Sequence, residues 1–386
     1  MATTTARHAQ RTYTEADFED FEHTGPDTLA GRYLRTFWHP IYISQELKPG
    51  WAVPVRLMNE DFTLYRGESG TAHMVDFRCA HRGTQLSTGF VEEDCIRCRY
   101  HGWVFDGTGQ CIEQPLERPS FAHRIRIRGY PVEEYLGLIF VYIGEGEPPP
   151  LPRYPRMERE GLLEWARAPR ACNYFNELEN DPEHVPFTHR DPDLPRGQYT
   201  LADEVKCVES NWGIAQHRFY PGHTLIVQHG MPNIRSTRHG SKAEVFRFKV
   251  PVDDGHLISF EVELFQMSAD EAEKKRATRE HAIGGDNEAR AVLTDEILAG
   301  KRRLLDLDRD PPPGISMFNL QDDVTQVGQG VIRDRQHEHL GSSDAYVVLL
   351  RSIFRREMKA LAEGRPLKHW ELTDDLVNTA RRGARD

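Results

Sequence analysis

Cysteine is scarce in this chain: six residues (Cys79, Cys95, Cys98, Cys111, Cys172 and Cys207) among 386. That density cannot supply a disulfide framework, so each cysteine is either a ligand or a small buried hydrophobe. Long apolar runs are missing as well. No stretch approaches the roughly 18 residues that a membrane-spanning helix needs. Met1–Gln10 lacks the apolar core of a secretory signal, and the expectation is a cytoplasmic protein with no membrane partner. Positive charge is in deficit: the net charge is −11, which argues against nucleic acid, whose phosphates require a basic face. No Gly-x-Gly-x-x-Gly stands between a strand and a helix, so a nicotinamide cofactor would have to be bound by a separate protein. What remains is the composition of a globular chain, 38% hydrophobic and 28% charged, long enough for two or three domains.

Against that background two short stretches stand out. The first is Cys79-Ala-His81-Arg-Gly83 followed by Cys98-Arg-Tyr-His101-Gly102-Trp103. It offers one thiolate and one imidazole from each of two loops. Two Cys on one iron and two His on the other is the ligand set of a Rieske [2Fe–2S] centre. Gly83 and Gly102 let the backbone fold tightly behind the ligands, and Trp103 can shield them from water. The rival is structural zinc, because Cys95-Ile-Arg-Cys98 is a Cys-x-x-Cys pair. Zinc leaves one histidine idle, whereas a cluster uses both loops completely.

The second stretch is Asp181-Pro-Glu-His184-Val-Pro186-Phe-Thr-His189. Two His and a carboxylate with open positions form the recurring ligand set of oxygen-activating non-haem Fe(II). On a helix Asp181 and His184 share a face, while His189 falls off it unless Pro186 distorts the turn. Asp181-Pro182 also reads as a helix cap with Pro at the first helical position.

Along the chain, Leu29–Phe37 reads as a short helix capped by Asp27 or Thr28. From Trp38 to about Ile143 short apolar runs punctuated by turn residues predict an all-β domain. Gly144-Glu-Gly-Glu-Pro-Pro-Pro-Leu-Pro reads as a linker. The expected division is an N-terminal segment 1–37, a cluster domain 38–150 and an iron domain 151–386. In the last, Asn173–Asn180 is helical and five runs between Val205 and Phe265 form an antiparallel sheet. Ala269–Leu307 reads as one or two surface helices, Asp344–Ala362 as an amphipathic helix, and the tail past Asp374 as polar and mobile.

Cys79 to Gly89 together with Cys98 to Cys111 resembles the Rieske domain of ring-hydroxylating oxygenases, and Asn173 to His189 resembles their catalytic-iron segment. The resemblance implies an α+β protein: an N-terminal all-β Rieske domain and a C-terminal helix-grip domain with a curved antiparallel sheet. It assigns Cys79, His81, Cys98 and His101 to the cluster, and His184 and His189 to a mononuclear Fe(II). It moves Asp181 from ligand to bridge, linking His184 to the cluster histidine His101 of a neighbouring copy in a homotrimer. The carboxylate ligand then comes from Leu320-Gln321-Asp322-Asp323, a run similar to the phthalate dioxygenase-like branch, with Asp322 preferred and Asp323 its competitor. The role of Glu177 stays open.

The function so implied is that of a terminal oxygenase. A reductase, with or without a ferredoxin, delivers electrons, O2 is activated at the iron, and an aromatic substrate is hydroxylated, with aromatic acids or aryl ethers favoured. The alternatives are an O- or N-demethylase and, from another class, a non-catalytic Rieske electron carrier. Pocket walls are expected from the strands around Gly213–Gln228 and Leu257–Phe265. Arg218 and Arg247 are the cations available to a substrate carboxylate, with a surface role as the plainer reading. Arg97, Arg99, Arg118, Arg124, Arg126 and Arg128 gather near the cluster motif, where an acidic redox partner could dock.

Overall fold

The fold is that of a computed structural model, which describes residues 13–180, 184–193, 195, 200–239, 243–268, 270–271, 285–371 and 381–382. Thr28 caps α1 (Leu29–Leu34) by accepting from the Gly31 amide. The β domain follows as β1 (Trp38–Ile43), β2 (Ala52–Leu57), β3 (Glu60–Arg66), β4 (Ala72–Asp76), β5 (Phe90–Glu92), β6 (Cys95–Arg97), β7 (Val104–Phe105), β8 (Cys111–Glu113), β9 (Gly129–Tyr130), β10 (Val132–Tyr135) and β11 (Leu138–Tyr142). These make three antiparallel sheets, ordered β1-β11-β10, β2-β3-β4-β9 and β5-β6-β7-β8. The last is small and carries the second cysteine loop between β6 and β7. Its side chains join Tyr65, Val75, Leu86, Trp103 and Ile127 in a core of its own, with Cys79 and Cys98 within it.

The second half begins with β12 (Leu162–Arg170), α2 (Tyr174–Leu178) and α3 (Val185–Thr188). A large antiparallel sheet is completed by β13 (Glu204–Glu209), β14 (Gly213–Tyr220), β15 (His223–Gly230), β16 (Ile234–His239), β17 (Ala243–Asp253) and β18 (His256–Phe265), in the order β12-β18-β17-β16-β15-β14-β13. Then come α4 (Asn287–Leu298), α5 (Leu304–Arg309), α6 (Met317–Val327) and α7 (Ala345–Ala362), and β19 (Arg381–Arg382) pairs with β15. Alternation gives the sheet two unlike faces. Phe246, Phe248, Phe260, Val262 and Leu264 enter the main core, while Arg247, Lys249, Ser259 and Glu261 face the opposite way. The apolar stripe of α7 (Val347, Leu350, Ile353, Phe354 and Met358) is buried in the same core. Phe354 stands edge-on to Phe21 and Phe175 at 6.2 and 5.1 Å, so the segment before α1, α2 and α7 are packed together. Truncating such a ring to alanine costs about 3–5 kcal/mol.

The α+β architecture with a Rieske β domain and one large antiparallel sheet is as expected. Several local expectations change. Strands β12 and β16 lie outside the runs read as strands, since Leu162–Arg170 carries four charged or proline positions and registers only against β18. α4 is not a plain surface helix: Arg290 is 1% exposed, because Asp286 and Asp323 take its charge inside. Residues 269 and 272–284, and most of the tail past Asp374, lie outside the described residues.

Candidate metal centres

The two cysteine loops close in the same way. The Gly83 amide donates to the Cys79 carbonyl at 2.9 Å, and the Gly102 amide to the Cys98 carbonyl at 3.0 Å. Each cysteine amide then donates across the loop, Cys79 to Thr84 and Cys98 to Trp103, both at 2.8 Å. Gly83 and Gly102 sit at φ 76° and 74°, the left-handed region that a side chain disfavours. This matching closure absorbs the unequal spacing of the histidines after their cysteines. His81 lies between two rings, stacked on Trp103 at 4.5 Å and edge-on to His101 at 4.5 Å. Trp103 is 4% exposed, and its ring lies flat against His81.

The donor set fits a [2Fe–2S] cluster. Burial pushes the Cys79 thiol up to about 12, against the pull of the His81 and Arg82 amides, with Cys98 beside it. A buried thiol whose thiolate is disfavoured, with a second cysteine beside it, is a donor that bound iron would stabilise. The His81 Nδ1 is buried with no partner. Zinc gains no such support. Cys95 answers to burial and to the charge of Asp106 rather than to another cysteine.

The second centre is assembled from two helices far apart in sequence. His184 and His189 flank the single turn of α3 as its N-cap and C-cap, and Pro186 lies within the helix's first turn. Pro186 therefore starts a turn instead of breaking a longer helix, and the turn brings the two rings to 5.7 Å. Asp322 of α6 projects between them, its Oδ1 3.4 Å from His184 Nε2 and 3.3 Å from His189 Nε2. The three donor atoms lie within 4.8 Å of one another. Bonds of about 2.0–2.2 Å to N and O donors put neighbouring ligand atoms at such separations, so this set fits a mononuclear iron. Burial would raise the Asp322 carboxyl, but the neighbouring His184 and His189 imidazoles and the Arg170 charge hold it well below the usual carboxylate range. His189 is opposed by burial and nevertheless raised, through Asp322 and Gln321.

Asp323 goes elsewhere. Successive helical residues point about 100° apart, and Asp323 meets Arg170 Nε at 2.6 Å and also Arg290. Glu177, whose role the sequence left open, is buried in ion pairs with Arg170 and Lys249, bracing α2 against β12 and β17. Gln321 was missed as a site residue: His189 Nδ1 contacts its Oε1 at 2.7 Å, and its Nε2 donates to Asp308 at 2.9 Å. Its position beside Asp322 was the available signal. Asp181 lies outside the described residues.

A cavity of about 480 Å³ opens beside His184 and Asp322. Its walls come from alternate residues of β12, β16, β17 and β18, including Ala166, Ala168, Arg235, Arg247, Ser259 and Glu261. The expectation for β18 holds, but β14 and β15 do not line it. Arg247 is in the wall, paired to Glu261 at 2.5 Å. Arg218, 5% exposed, is neither a surface charge nor part of the lining.

Residues 37–135 match the family model of the Rieske [2Fe-2S] domain. The chain is also 30% identical over 378 residues to the 5,5'-dehydrodivanillate O-demethylase oxygenase subunit of Sphingobium sp. (strain NBRC 103272 / SYK-6), covering 92% of this chain and 82% of that protein. The chain belongs to the Rieske oxygenases. It is 30% identical over 387 residues to the tert-butanol monooxygenase / tert-amyl alcohol desaturase oxygenase subunit of Aquincola tertiaricarbonis, with 89% and 77% covered. The fold matches the oxygenase in the reduced oxygenase–ferredoxin complex of carbazole 1,9a-dioxygenase at a TM-score of 0.63, with 19% identity and 93% and 99% of the chains covered. As a Rieske oxygenase the protein is an enzyme with a [2Fe–2S] cluster and a mononuclear iron, which removes the pure electron-carrier reading.

Proposed function

We propose that this Rieske oxygenase hydroxylates or O-demethylates an aromatic acid or aryl ether, with electrons supplied by a separate reductase and, where present, a ferredoxin. The observation that carries the reading is the convergence of His184, His189 and Asp322, with His184 and Asp322 in the wall of a cavity large enough for an aromatic ring. In it, Cys79 and Cys98 hold one cluster iron, His81 and His101 the other, and His184, His189 and Asp322 the mononuclear Fe(II). When bound, the two groups supply electron relay and O2 activation. The chain's own residues do the rest. Trp103 keeps water from the cluster face, Gln321 orients the His189 imidazole, and the cavity holds the substrate beside Asp322.

Asp181 bridges His184 to the partner subunit's His101 in a head-to-tail trimer, accepting a hydrogen bond from each imidazole. The O-demethylase reading has specific support in the relative that acts on 5,5'-dehydrodivanillate. The same proposal assigns residues 38–150 to the cluster domain and 151–386 to the iron domain, in keeping with the absence of helix or strand from Gly144 to Tyr154. Among the described residues no helix is long and apolar enough to cross a membrane, and a cytoplasmic location belongs to the proposal too.

Asp181→Asn tests it. Asn keeps the size but loses the charge and half the acceptor capacity, so both metal centres should fill while substrate-dependent cluster oxidation in a single turnover nearly stops. As a helix cap Asn equals Asp, and wild-type single-turnover rates would refute the bridge.

A further inference from the structure

The charges of the cavity wall do not balance. Of its carboxylates, Glu177 is committed to Arg170 and Lys249, Glu261 to Arg247, and Asp322 to the two histidines. Of its cations, Arg167 meets Glu46 at 3.2 Å and Arg290 meets Asp323 and Asp286. Arg235 is different. Among the described residues it makes no ion pair; its Nη1 donates to the Asn180 carbonyl at 3.3 Å, and its Nε is buried with no partner.

Its surroundings sharpen the imbalance. Arg235 stands directly opposite Arg247 in the β16–β17 ladder, a like-charge pairing that costs stability. On its other side it is opposite His229, which burial and the Arg235 charge keep well below its ordinary pKa and hence neutral. Burial and Arg247 also push Arg235 itself down. A guanidinium with spare donors, crowded by a second cation and lining a cavity, is a site built for an anion. The planar fork matches a carboxylate. Ala166, Ala168, Val185 and Phe318 give the same cavity apolar wall for a ring.

We infer that Arg235 is the substrate-recognising residue of this cavity and pairs with the carboxylate of an aromatic acid. The inference rests on the oxygenase reading of the cavity and narrows its substrate class. The carboxylate anchors at the β16–β17 end, which leaves the ring lying toward His184 and Asp322.

The test uses the full chain with cluster and iron in place, and compares benzoate and 3-methoxybenzoate with benzamide and 3-methoxybenzamide by titration calorimetry. A charge-assisted pair of this kind is worth roughly 10- to 100-fold in affinity. The acids should bind tighter than the amides by that factor in the wild type. Arg235→Gln should erase the preference while leaving amide affinity in place, and Arg235→Lys should retain part of it. Equal binding of acid and amide by the wild type overturns the inference whether or not Arg235→Gln folds. So does a full acid preference in Arg235→Gln with normal cluster spectrum and iron content. Oxygen uptake driven only by neutral aromatics would sink the carboxylate site and keep the oxygenase reading. A retained acid preference with no substrate-driven oxygen uptake would do the reverse.

Discussion

Removing the amide of Gln321 should loosen the mononuclear iron without touching any ligand. His189 Nδ1 donates to Gln321 Oε1 at 2.7 Å, and Gln321 is itself held because its Nε2 donates to Asp308 at 2.9 Å. The direction of the Gln321 amide follows from Asp308, since only the NH2 end can donate to a carboxylate. That fixes the proton of His189 on Nδ1 and leaves the Nε2 lone pair aimed at Asp322, 3.3 Å away. In Gln321→Leu the Nδ1–H keeps its burial and loses its acceptor. A lost buried hydrogen bond with one partner stranded costs about 1–3 kcal/mol, which at 1.4 kcal/mol per decade is about 5- to 150-fold in metal affinity. Loss of an orienting contact to a metal-bound histidine has a similar effect, about 10- to 100-fold. The assay is competition for Co(II) or Fe(II) between the chain and a chelator, with the cluster's visible spectrum as internal control. Phe318, stacked on His189 at 3.7 Å, is the competing restraint. If it alone holds the ring, Gln321→Leu will bind metal within threefold of wild type, and the orienting role of Gln321 is refuted.

Other outcomes follow from the same geometry. Metal analysis should give about three iron atoms per chain with acid-labile sulfide; one zinc and no sulfide would end the cluster assignment. His184→Ala or His189→Ala should empty the mononuclear site and abolish product while the cluster spectrum persists, and normal turnover in either would move the catalytic site elsewhere. Asp322→Asn and Asp323→Asn should separate: the first loses iron at near-normal stability, whereas the second leaves Arg170 with Glu177 and Arg290 with Asp286, weakens two buried charge-assisted contacts and costs about 1–3 kcal/mol in denaturant unfolding, with the three donors still present. His39 is fully buried, its Nε2–H donating to the Leu34 carbonyl, and burial pushes its pKa down to about 4. The unfolded chain takes up that proton near pH 6.5 and the folded one does not, so stability is intact above that pH and falls between about 6.5 and 4. From pH 7 to 5 the loss is about 2 kcal/mol, and His39→Gln should flatten the slope by that amount; an unchanged slope would count against it.

Much of the cluster site was legible because it is local. Cys79, His81, Cys98 and His101 lie within two loops whose closure depends on glycines adjacent in sequence, so spacing alone carries the geometry. The same is true of α7, where the apolar stripe is a property of one segment, and of His184 and His189, held by a single turn. Elsewhere sequence spacing was not enough. Asp322 and Asp323 are chemically identical neighbours, and only the packing of α6 against α3 and β12 turns one toward the histidines and the other toward Arg170 and Arg290. Strands β12 and β16 carry too much charge to look like sheet, because Arg167, Arg170, Arg235 and Thr237 line a cavity that exists only once β18 and β17 have paired beside them. Gln321 and Arg235 acquire meaning in the same way. The chain by itself determined which groups can bind iron; the tertiary structure decided which carboxylate meets the two histidines and which cation makes no ion pair among the described residues, because those depend on contacts between segments more than a hundred residues apart.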